Sequence, residues 1–238
     1  MIEIINSMEV LGCYSFDNMD VYIINNPKAY FHFEENQEMS DMLIKQIDSV
    51  VMSGFGHELG DGVDGTRNHV VETSLIALAV LNNQIIGFAS CKIFPFFDYQ
   101  TFFLHGVAVD NNCKGRGIGF KLVSLLYGIS RMEYIALTTQ NPIMYSLIRK
   151  MSKNIYPSLD SISCEDYLPL IRRMVRILDR PGFFYEKDLT YYNLYSQCLY
   201  EEIPVSRCKD VDNYFKNKLR MDSNRQTLDG LFILSKAK

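Results

Sequence analysis

One loop holds the residues best suited to bind a charged ligand. It consists of Lys114, Gly115, Arg116, Gly117, Ile118 and Gly119. A strand-like apolar run precedes it, and apolar residues at helical spacing follow it. A helix start offers backbone N–H groups without helical partners and the positive end of the helix dipole, and glycines let an anion approach them. With the added lysine and arginine, the sequence predicts a diphosphate-binding loop.

The glycine spacing separates three kinds of phosphate loop. A Walker loop needs Lys-Ser or Lys-Thr after its glycines, and neither pair is present. A dinucleotide-binding loop needs G-x-G-x-x-G and an acidic residue about 20 positions further on. Here the spacing is G-x-G-x-G, and the next acidic residue, Glu133, comes too early. The remaining pattern is [QR]-x-x-G-x-[GA] after a strand ending V-x-V-D, and the segment from Val107 to Gly119 resembles it closely.

This pattern belongs to the GNAT N-acetyltransferase superfamily, which the chain resembles most from about Thr73 to about Lys153. Lys114 departs from the usual Gln or Arg, because lysine keeps the charge but lacks the planar fork of arginine. The resemblance implies acetyl-CoA or coenzyme A as co-substrate, held by residues 114–119, and no metal. It also implies that the strand backbone at Val107, Ala108 and Val109 pairs with the pantetheine arm.

The order of predicted elements matches this superfamily. Two apolar runs flank Asn82 and Asn83, which tolerate the positive φ of a tight turn, so they predict a β-hairpin. Strands are predicted at 21–24, 73–81, 84–94, 101–109, 134–138 and 230–234, with a turn near 98–99. Helices are predicted at 37–52, from the loop to about 130, from Pro142 and at about 165–178. The helix from Pro142 has its predicted buried stripe at Ile143, Met144, Leu147, Ile148 and Met151.

The resemblance implies an α+β fold with an α/β/α arrangement. Its central sheet is expected to be mixed and mostly antiparallel, with central strands that splay apart. We expect a single domain over residues 1–238, with its core motifs at about 66–153. An additional C-terminal segment at about 156–229, helical and rich in aromatic residues, precedes a possible final strand at 230–234.

Composition predicts a globular protein. The chain has 238 residues, of which 47% are hydrophobic, enough for one sizeable core. The N-terminus lacks a basic segment followed by a long apolar one, and the longest apolar run, Leu75 to Leu81, is too short for a membrane span. We therefore expect a cytoplasmic protein without membrane contact. Its six cysteines form no C-x-x-C pair, so the sequence supports neither a zinc site nor a redox motif.

Charge is distributed unevenly along the chain. Residues 1–100 hold 4 Lys and Arg against 14 Asp and Glu, whereas residues 101–238 hold 20 against 14. The acidic residues of the first predicted helix region are Glu34, Glu35, Glu38, Asp41 and Asp48. They either attract a cationic amine or form a solvated helix face. Three arginines, at 172, 173 and 176, are too few for a nucleic-acid surface, so no nucleic-acid partner is expected.

Catalysis in this superfamily resembles direct attack of a neutral amine on the thioester of acetyl-CoA. His105, in the strand just before the loop, is the candidate base, although a lone histidine in an apolar strand is often a hydrogen-bonded core residue. Many relatives have a Tyr that acts as the general acid seven residues after the Asn that begins the next helix. Counted from Asn141, that position is Ile148, so Tyr145 is the candidate acid in its place or a packed aromatic residue. Asn141 itself is a candidate cofactor ligand, a helix cap, or both.

The sequence thus predicts an acyl-CoA-dependent N-acyltransferase, with acetyl-CoA as donor and a primary amine as acceptor. Two alternatives are a non-catalytic acyl-CoA-binding module and a synthase that uses a longer acyl donor. The acceptor is a small molecule or a peptide amine. The C-terminal segment either selects that acceptor or forms a homodimer interface through its aromatic residues. These residues are Phe183, Phe184, Tyr185, Tyr191, Tyr192, Tyr195 and Tyr200.

Overall fold

A computed structural model describes residues 1–56, 62–95, 99–160, 163–200, 202–221 and 227–238. The chain divides into two compact units. The first comprises Met1–Phe94 and Phe102–Arg131, and the second comprises Pro95–Thr101 and Met132–Lys238. Helices accompany a mostly antiparallel arrangement of strands, so the predicted α+β class is confirmed.

The first unit contains strands in the order β1-β2-β3-β4-β5. These are β1 (Val10–Phe16), β2 (Met19–Asn25), β3 (Leu75–Leu81), β4 (Gln84–Pro95) and β5 (Gln100–Val109). Its helices are α1 (Ile2–Asn6), α2 (Pro27–Phe31), α3 (Gln37–Phe55), α4 (Gly62–Val71) and α5 (Ile118–Ser130). β2 pairs with β1 and β3, and β3 pairs with β4, each time antiparallel.

Two hairpins of this sheet close in turns with left-handed residues. Asn82 has φ 49° and Asn83 has φ 62°, as the predicted hairpin between β3 and β4 requires. Asp17 at 46° and Asn18 at 66° form the same kind of turn between β1 and β2. β3 is buried at six of its seven positions, because both faces of the sheet are covered at this strand. The core cluster on one side joins β2 and β3 to Leu43, Ile44 and Ile47 of α3.

The second unit is organised around its last strand. Its strands are β6 (Tyr134–Thr139), β7 (Ser152–Tyr156), β8 (Phe183–Tyr185), β9 (Thr190–Tyr192) and β10 (Gly230–Ala237). Its helices are α6 (Pro142–Met151), α7 (Leu168–Leu178) and α8 (Lys209–Lys218). β10 pairs antiparallel with β6, β7 and β9, and β8 pairs with β9. The run predicted as a strand at 230–234 is therefore the central strand of this unit, and Leu231 to Leu234 are fully buried.

The structure corrects several local predictions. The strand predicted first, at 21–24, is β2, and β1 precedes it. In α6 the side chain of Ile143 is 45% exposed, whereas Tyr145 is buried, so the apolar stripe is offset from the predicted one. This follows from the helix orientation, which turns Met144, Tyr145 and Ile148 inward. α4, β7 and the β8-β9 hairpin were not predicted. The turn predicted near 98–99 falls partly on residues 96–98, which lie outside the described residues.

Two features of the described part of the chain bear on its chemistry. None of its helices combines the length and the apolar character that crossing a membrane requires. Within the same residues, no three His, Cys, Asp or Glu side chains are grouped as a metal site would need. All six cysteines are free thiols, and Cys91, Cys113 and Cys198 are buried.

Candidate functional site

The loop between β5 and α5 adopts a conformation that two of its glycines make possible. Gly115 has φ 81° and Gly117 has φ 74°, and Gly117 is the N-cap of α5. A methyl group placed on either glycine would meet no other atom within 4 Å. The backbone conformation therefore favours glycine, and the space above the loop is open toward a ligand.

The open cradle fits a diphosphate. The first N–H groups of α5 have no acceptor within the helix, and they lie beside the exposed Lys114 and Arg116. Ile118 contributes its backbone only, because its side chain is 4% exposed and belongs to the core. The backbone N–H donors, the positive end of the helix dipole and the two cationic side chains thus all favour an anion in the same open space. Binding of coenzyme A by residues 114–119 stays a prediction.

The loop is anchored to the C-terminal end of α3. Lys114 Nζ donates a hydrogen bond to the carbonyl of Gly54 at 2.8 Å, and the N–H of Asn111 donates to Ser53 Oγ at 3.0 Å. Asp110 caps the short turn before the loop by accepting from the N–H of Asn112 at 2.9 Å. These contacts fix the loop entry. They also engage Lys114, the residue that departs from the family pattern.

Val107, Ala108 and Val109, the three strand residues predicted to contact pantetheine, lie between α3 and α5. Ala108 is buried, whereas Val107 and Val109 are half-buried and approach Gly119 at the start of α5. The carbonyl of Val109 would lie 2.9 Å from a methyl group on Gly54, so α3 contacts this strand closely. Glycine at position 54 permits that approach. The role of residues 107–109 toward pantetheine stays a prediction.

His105 contacts a second histidine that the sequence did not predict. The ring centroids of His105 and His69 lie 4.3 Å apart, with planes inclined by 39°. His105 is on β5 and His69 is on α4, and both side chains are half-buried. A methyl group on Gly106 would lie 3.2 Å from His69 Nδ1 and 3.3 Å from Ser90 Oγ. Gly106 therefore permits the close approach of α4 to the strand.

Two polar contacts hold α4 against α3. Thr66 Oγ1 donates to Asp48 Oδ1 at 2.7 Å, and both residues are buried. Arg67 forms an ion pair with Asp41, and the hydrogen bond from this guanidinium lowers the pKa of the Asp41 carboxyl. Two of the five predicted acidic residues are thus engaged within the fold. The other three, Glu34, Glu35 and Glu38, are exposed.

Asn141, in the second unit, has both side-chain atoms engaged. Its Oδ1 accepts from the N–H of Ile143 at 2.8 Å and so caps α6, as predicted for an N-cap. Its Nδ2 donates to the hydroxyl oxygen of Tyr200 at 3.2 Å. Burial raises the pKa of Tyr200, which keeps this phenol neutral. A cofactor contact through the Asn141 side chain would have to replace one of these bonds.

The neighbouring Gln140 links the C-terminal segment to this position. It is fully buried, its Nε2 donates to the carbonyls of Thr227 at 2.8 Å and Asp229 at 2.9 Å, and its Oε1 accepts from Leu199 N–H at 3.3 Å. With Tyr200, these contacts bring the predicted extension to the junction of β6 and α6. Sequence reasoning did not predict this, because the partners lie 59 to 89 residues apart.

Tyr145, the predicted acid, lies within the packed interior of the second unit. Its side chain is 1% exposed, and its hydroxyl donates to the carbonyl of Pro157 at 2.9 Å. Its ring packs edge-on against Phe215, with centroids 6.0 Å apart. Burial, first among the causes, raises the pKa of the phenol. The arrangement explains Tyr145 as a packed aromatic residue, and its role as an acid stays a prediction.

The aromatic residues of the β8-β9 hairpin divide between its two faces. Phe184 packs against Tyr191 at 4.8 Å between ring centroids and against Phe232 of β10 at 6.0 Å. Phe183 is 66% exposed and Tyr185 is 37% exposed. One face therefore serves the core of this unit. The exposed face leaves both predicted roles of the extension open.

Comparison with known proteins identifies the class. Residues 44–151 match the model of the Acetyltransferase (GNAT) family. This range includes most of α3, all of α4, the loop and α6. No curated protein matches the chain. Residues 44–151 are thus similar to a GNAT acetyltransferase domain, and acetyl-CoA is the co-substrate of that class.

Solved structures of acetyltransferases show limited similarity. A predicted acetyltransferase of Pyrococcus horikoshii is 17% identical, with TM-score 0.42, over 60% of this chain and 46% of that one. Aminoglycoside 6'-acetyltransferase type Ii is 17% identical, with TM-score 0.40, over 57% of this chain and 86% of that one. The IAA acetyltransferase of Bacillus cereus is 14% identical, with TM-score 0.42, over 91% of this chain and 99% of that one.

Proposed function

We propose that this protein transfers an acetyl group from acetyl-CoA to a primary amine of a small molecule or peptide. The observation that carries the proposal concerns His105, which lies on the strand that leads into the open loop. Its ring contacts the ring of His69 on α4. The loop is the proposed anion cradle, and the histidines provide imidazoles, which are common general bases. Both belong to the first unit and to the range of the family match.

His105 is the proposed general base. An amine attacks a thioester only as the neutral species, so a group near the acceptor must take up its proton. His69 restricts the His105 ring, because the two rings are in contact and Gly106 leaves no space between α4 and the strand. The contact places a second imidazole directly beside the proposed base.

The remaining steps use backbone groups and an acid. Acetyl-CoA supplies an activated carbonyl carbon and a thiolate leaving group. Backbone N–H groups at Val107, Ala108 and Val109 would orient the pantetheine arm and polarise the carbonyl. Tyr145 would have to give up its hydrogen bond to Pro157 in order to protonate the thiolate. Water is an alternative proton source at this step.

A second candidate function is a non-catalytic acyl-CoA-binding module. The observation in its favour is the absence of an exposed acid on α6, where Ile148 is fully buried and Tyr145 is engaged. Such a module would keep the loop and its affinity for coenzyme A. It would not release coenzyme A when amines are added.

The exposed acidic residues Glu34, Glu35 and Glu38 favour a cationic acceptor. They lie before and at the start of α3, and the described contacts leave them without ion pairs of the kind that engage Asp41. Their field would raise the local concentration of a protonated amine. The aromatic extension is the proposed second determinant of acceptor choice, through its exposed ring face.

The test measures release of the coenzyme A thiol in the presence of a panel of small amines and amine-bearing peptides. The wild-type protein is expected to release thiol only when both acetyl-CoA and an accepted amine are present. His105→Ala is expected to lower turnover roughly 10²- to 10⁴-fold and to remove the acidic limb of the pH–rate profile. His32→Ala is the matched control, because His32 is exposed and lies outside the site.

Coenzyme A affinity is measured on the same variants by calorimetry. His105→Ala is expected to bind coenzyme A as the wild type does, because the loop is unchanged. Binding without turnover for every amine would favour the non-catalytic module. Wild-type turnover in His105→Ala would exclude His105 as the base and leave a water chain for proton removal.

A further inference from the structure

The outer edge of β1 has few of the features that protect exposed strands. In the part of the chain that the structure describes, β1 is the terminal strand of its sheet. Its sequence, Val-Leu-Gly-Cys-Tyr-Ser-Phe, contains no charged residue and no proline. Leu11 is 46% exposed and Tyr14 is 37% exposed. Apart from a bulge between Val10 and Gly12, the edge is open to another strand.

The hairpin register shows which backbone groups face outward. Phe16 and Met19 flank the two-residue turn, so they form a hydrogen-bonded pair. Hydrogen-bonded and non-hydrogen-bonded pairs alternate from there, which makes Tyr14 and Val21 the next hydrogen-bonded pair. The N–H and C=O groups of Cys13 and Ser15 therefore point away from β2. They are available to a further antiparallel strand.

The surface beside this edge is also poor in charge. α5 has a single charged residue in its 13 positions, Lys121, which pairs with Asp17 of the β1-β2 turn at 3.0 Å. A groove of about 500 Å³ lies between β1 and α5. It is lined by Tyr14, Ser124, Leu125, Gly128, Ile129 and Arg131. Apart from Ser124 and Arg131, the residues that line this groove are apolar or aromatic or are glycine, and such a surface suits a contact with another chain.

We infer that β1 pairs antiparallel with β1 of a second copy of this chain, centred on Cys13. A two-fold axis turns any strand antiparallel to itself, so the edge is its own complement. Cys13 is the middle residue of Val10–Phe16, and an axis there aligns the two strands along their length, with the bulge between Val10 and Gly12 as the irregular part. Because the strand is uncharged, self-pairing brings no like charges together. A partner selected by charge would find nothing on this strand to recognise.

The geometry at Cys13 suits this symmetry. Its outward N–H and C=O groups would exchange two hydrogen bonds with the same groups of the second copy, as in any hydrogen-bonded antiparallel pair. The axis is perpendicular to the sheet, so α5 of both copies lies on the same face. The groove beside Tyr14 in each copy would then face the other copy. The two sheets would continue across the interface as one.

The test places opposite charges at the centre of the proposed axis. Cys13 is exposed, so Cys13→Lys and Cys13→Glu are compatible with the fold. Each variant alone is expected to dissociate more readily than the wild-type dimer, by up to about fivefold, because like charges lie directly opposite. An equimolar mixture is expected to restore the dimer. Light scattering over a range of concentrations measures this, and circular dichroism verifies folding.

Val205→Lys and Val205→Glu are the matched controls, because Val205 is 71% exposed and lies outside this surface. They are expected to leave the dimer unchanged. Mild oxidation of the wild-type protein is expected to yield a dimer linked through Cys13, and Cys13→Ser should abolish it. A wild-type protein that is monomeric at all concentrations would overturn the inference. So would a dimer that tolerates Cys13→Lys, or one that the mixture fails to restore.

Discussion

Replacing Gly117 by Glu separates the conformation of the phosphate loop from its function. Gly117 has φ 74°, and a Cβ there would meet no atom within 4 Å. The substitution therefore destabilises the folded state only through backbone strain. That cost is about 1 to 2 kcal/mol for a residue other than glycine, or roughly 2 to 8 °C in Tm for a chain of this size. The variant should therefore fold.

Coenzyme A affinity should fall much further. The new side chain would extend into the space above the loop and bring a carboxylate toward the diphosphate. Loss of two charge-assisted hydrogen bonds, at about 1.5 to 3 kcal/mol each, corresponds to a decrease of at least about 100-fold. Gly117→Asn is the control, because asparagine tolerates a positive φ and carries no charge. A folded Gly117→Glu protein with wild-type affinity in calorimetry would refute the assignment of the loop.

Three further variants address other features of the structure. Gly106→Ala should lower turnover at least about tenfold with little change in coenzyme A affinity, because its methyl group would displace the ring of His69 by contact at 3.2 Å; unchanged kinetics would contradict this. Asn141→Ala should cost about 1 to 2 kcal/mol in denaturant unfolding through loss of the α6 cap. Burial raises the pKa of Tyr191 to about 12, so the folded state favours the neutral phenol. The wild type should therefore lose stability as pH rises from about 10 toward 12. Tyr191→Phe should lose less stability over that range, as measured by thermal melts.

The loop and the hairpin between β3 and β4 could be predicted because their determinants are local. A glycine or asparagine with positive φ restricts its own segment, so G-x-G-x-G and Asn82-Asn83 indicate their structures without knowledge of distant contacts. The same holds for α5, whose apolar spacing places Leu122 and Leu126 in the core. Short-range chemistry thus predicted the conformation of the loop that is the proposed anion site.

The rest of the candidate site depends on contacts between distant segments. His69 lies 36 residues before His105, and no pattern within α4 marks it as a partner. The burial of Tyr145 depends on Pro157 and Phe215, both supplied by the C-terminal segment. The β8-β9 hairpin has strands of three residues, too short for alternation to distinguish them from loops. These features follow from tertiary packing and have no local signal.

If the loop binds a diphosphate as proposed, the hydrogen bond from Lys114 to the carbonyl of Gly54 means that the lysine must exchange one partner for another. That carbonyl lies near the C-terminal end of α3, where the helix dipole is negative, so the ammonium already has a counter-charge. An incoming polyanion would interact with the charge of Arg116 directly, but it would compete with the Gly54 carbonyl of α3 for Lys114. Weak or singly charged anions therefore gain little at this loop. A diphosphate carries more charge and would compete better for Lys114, so this hydrogen bond would favour it over a singly charged anion.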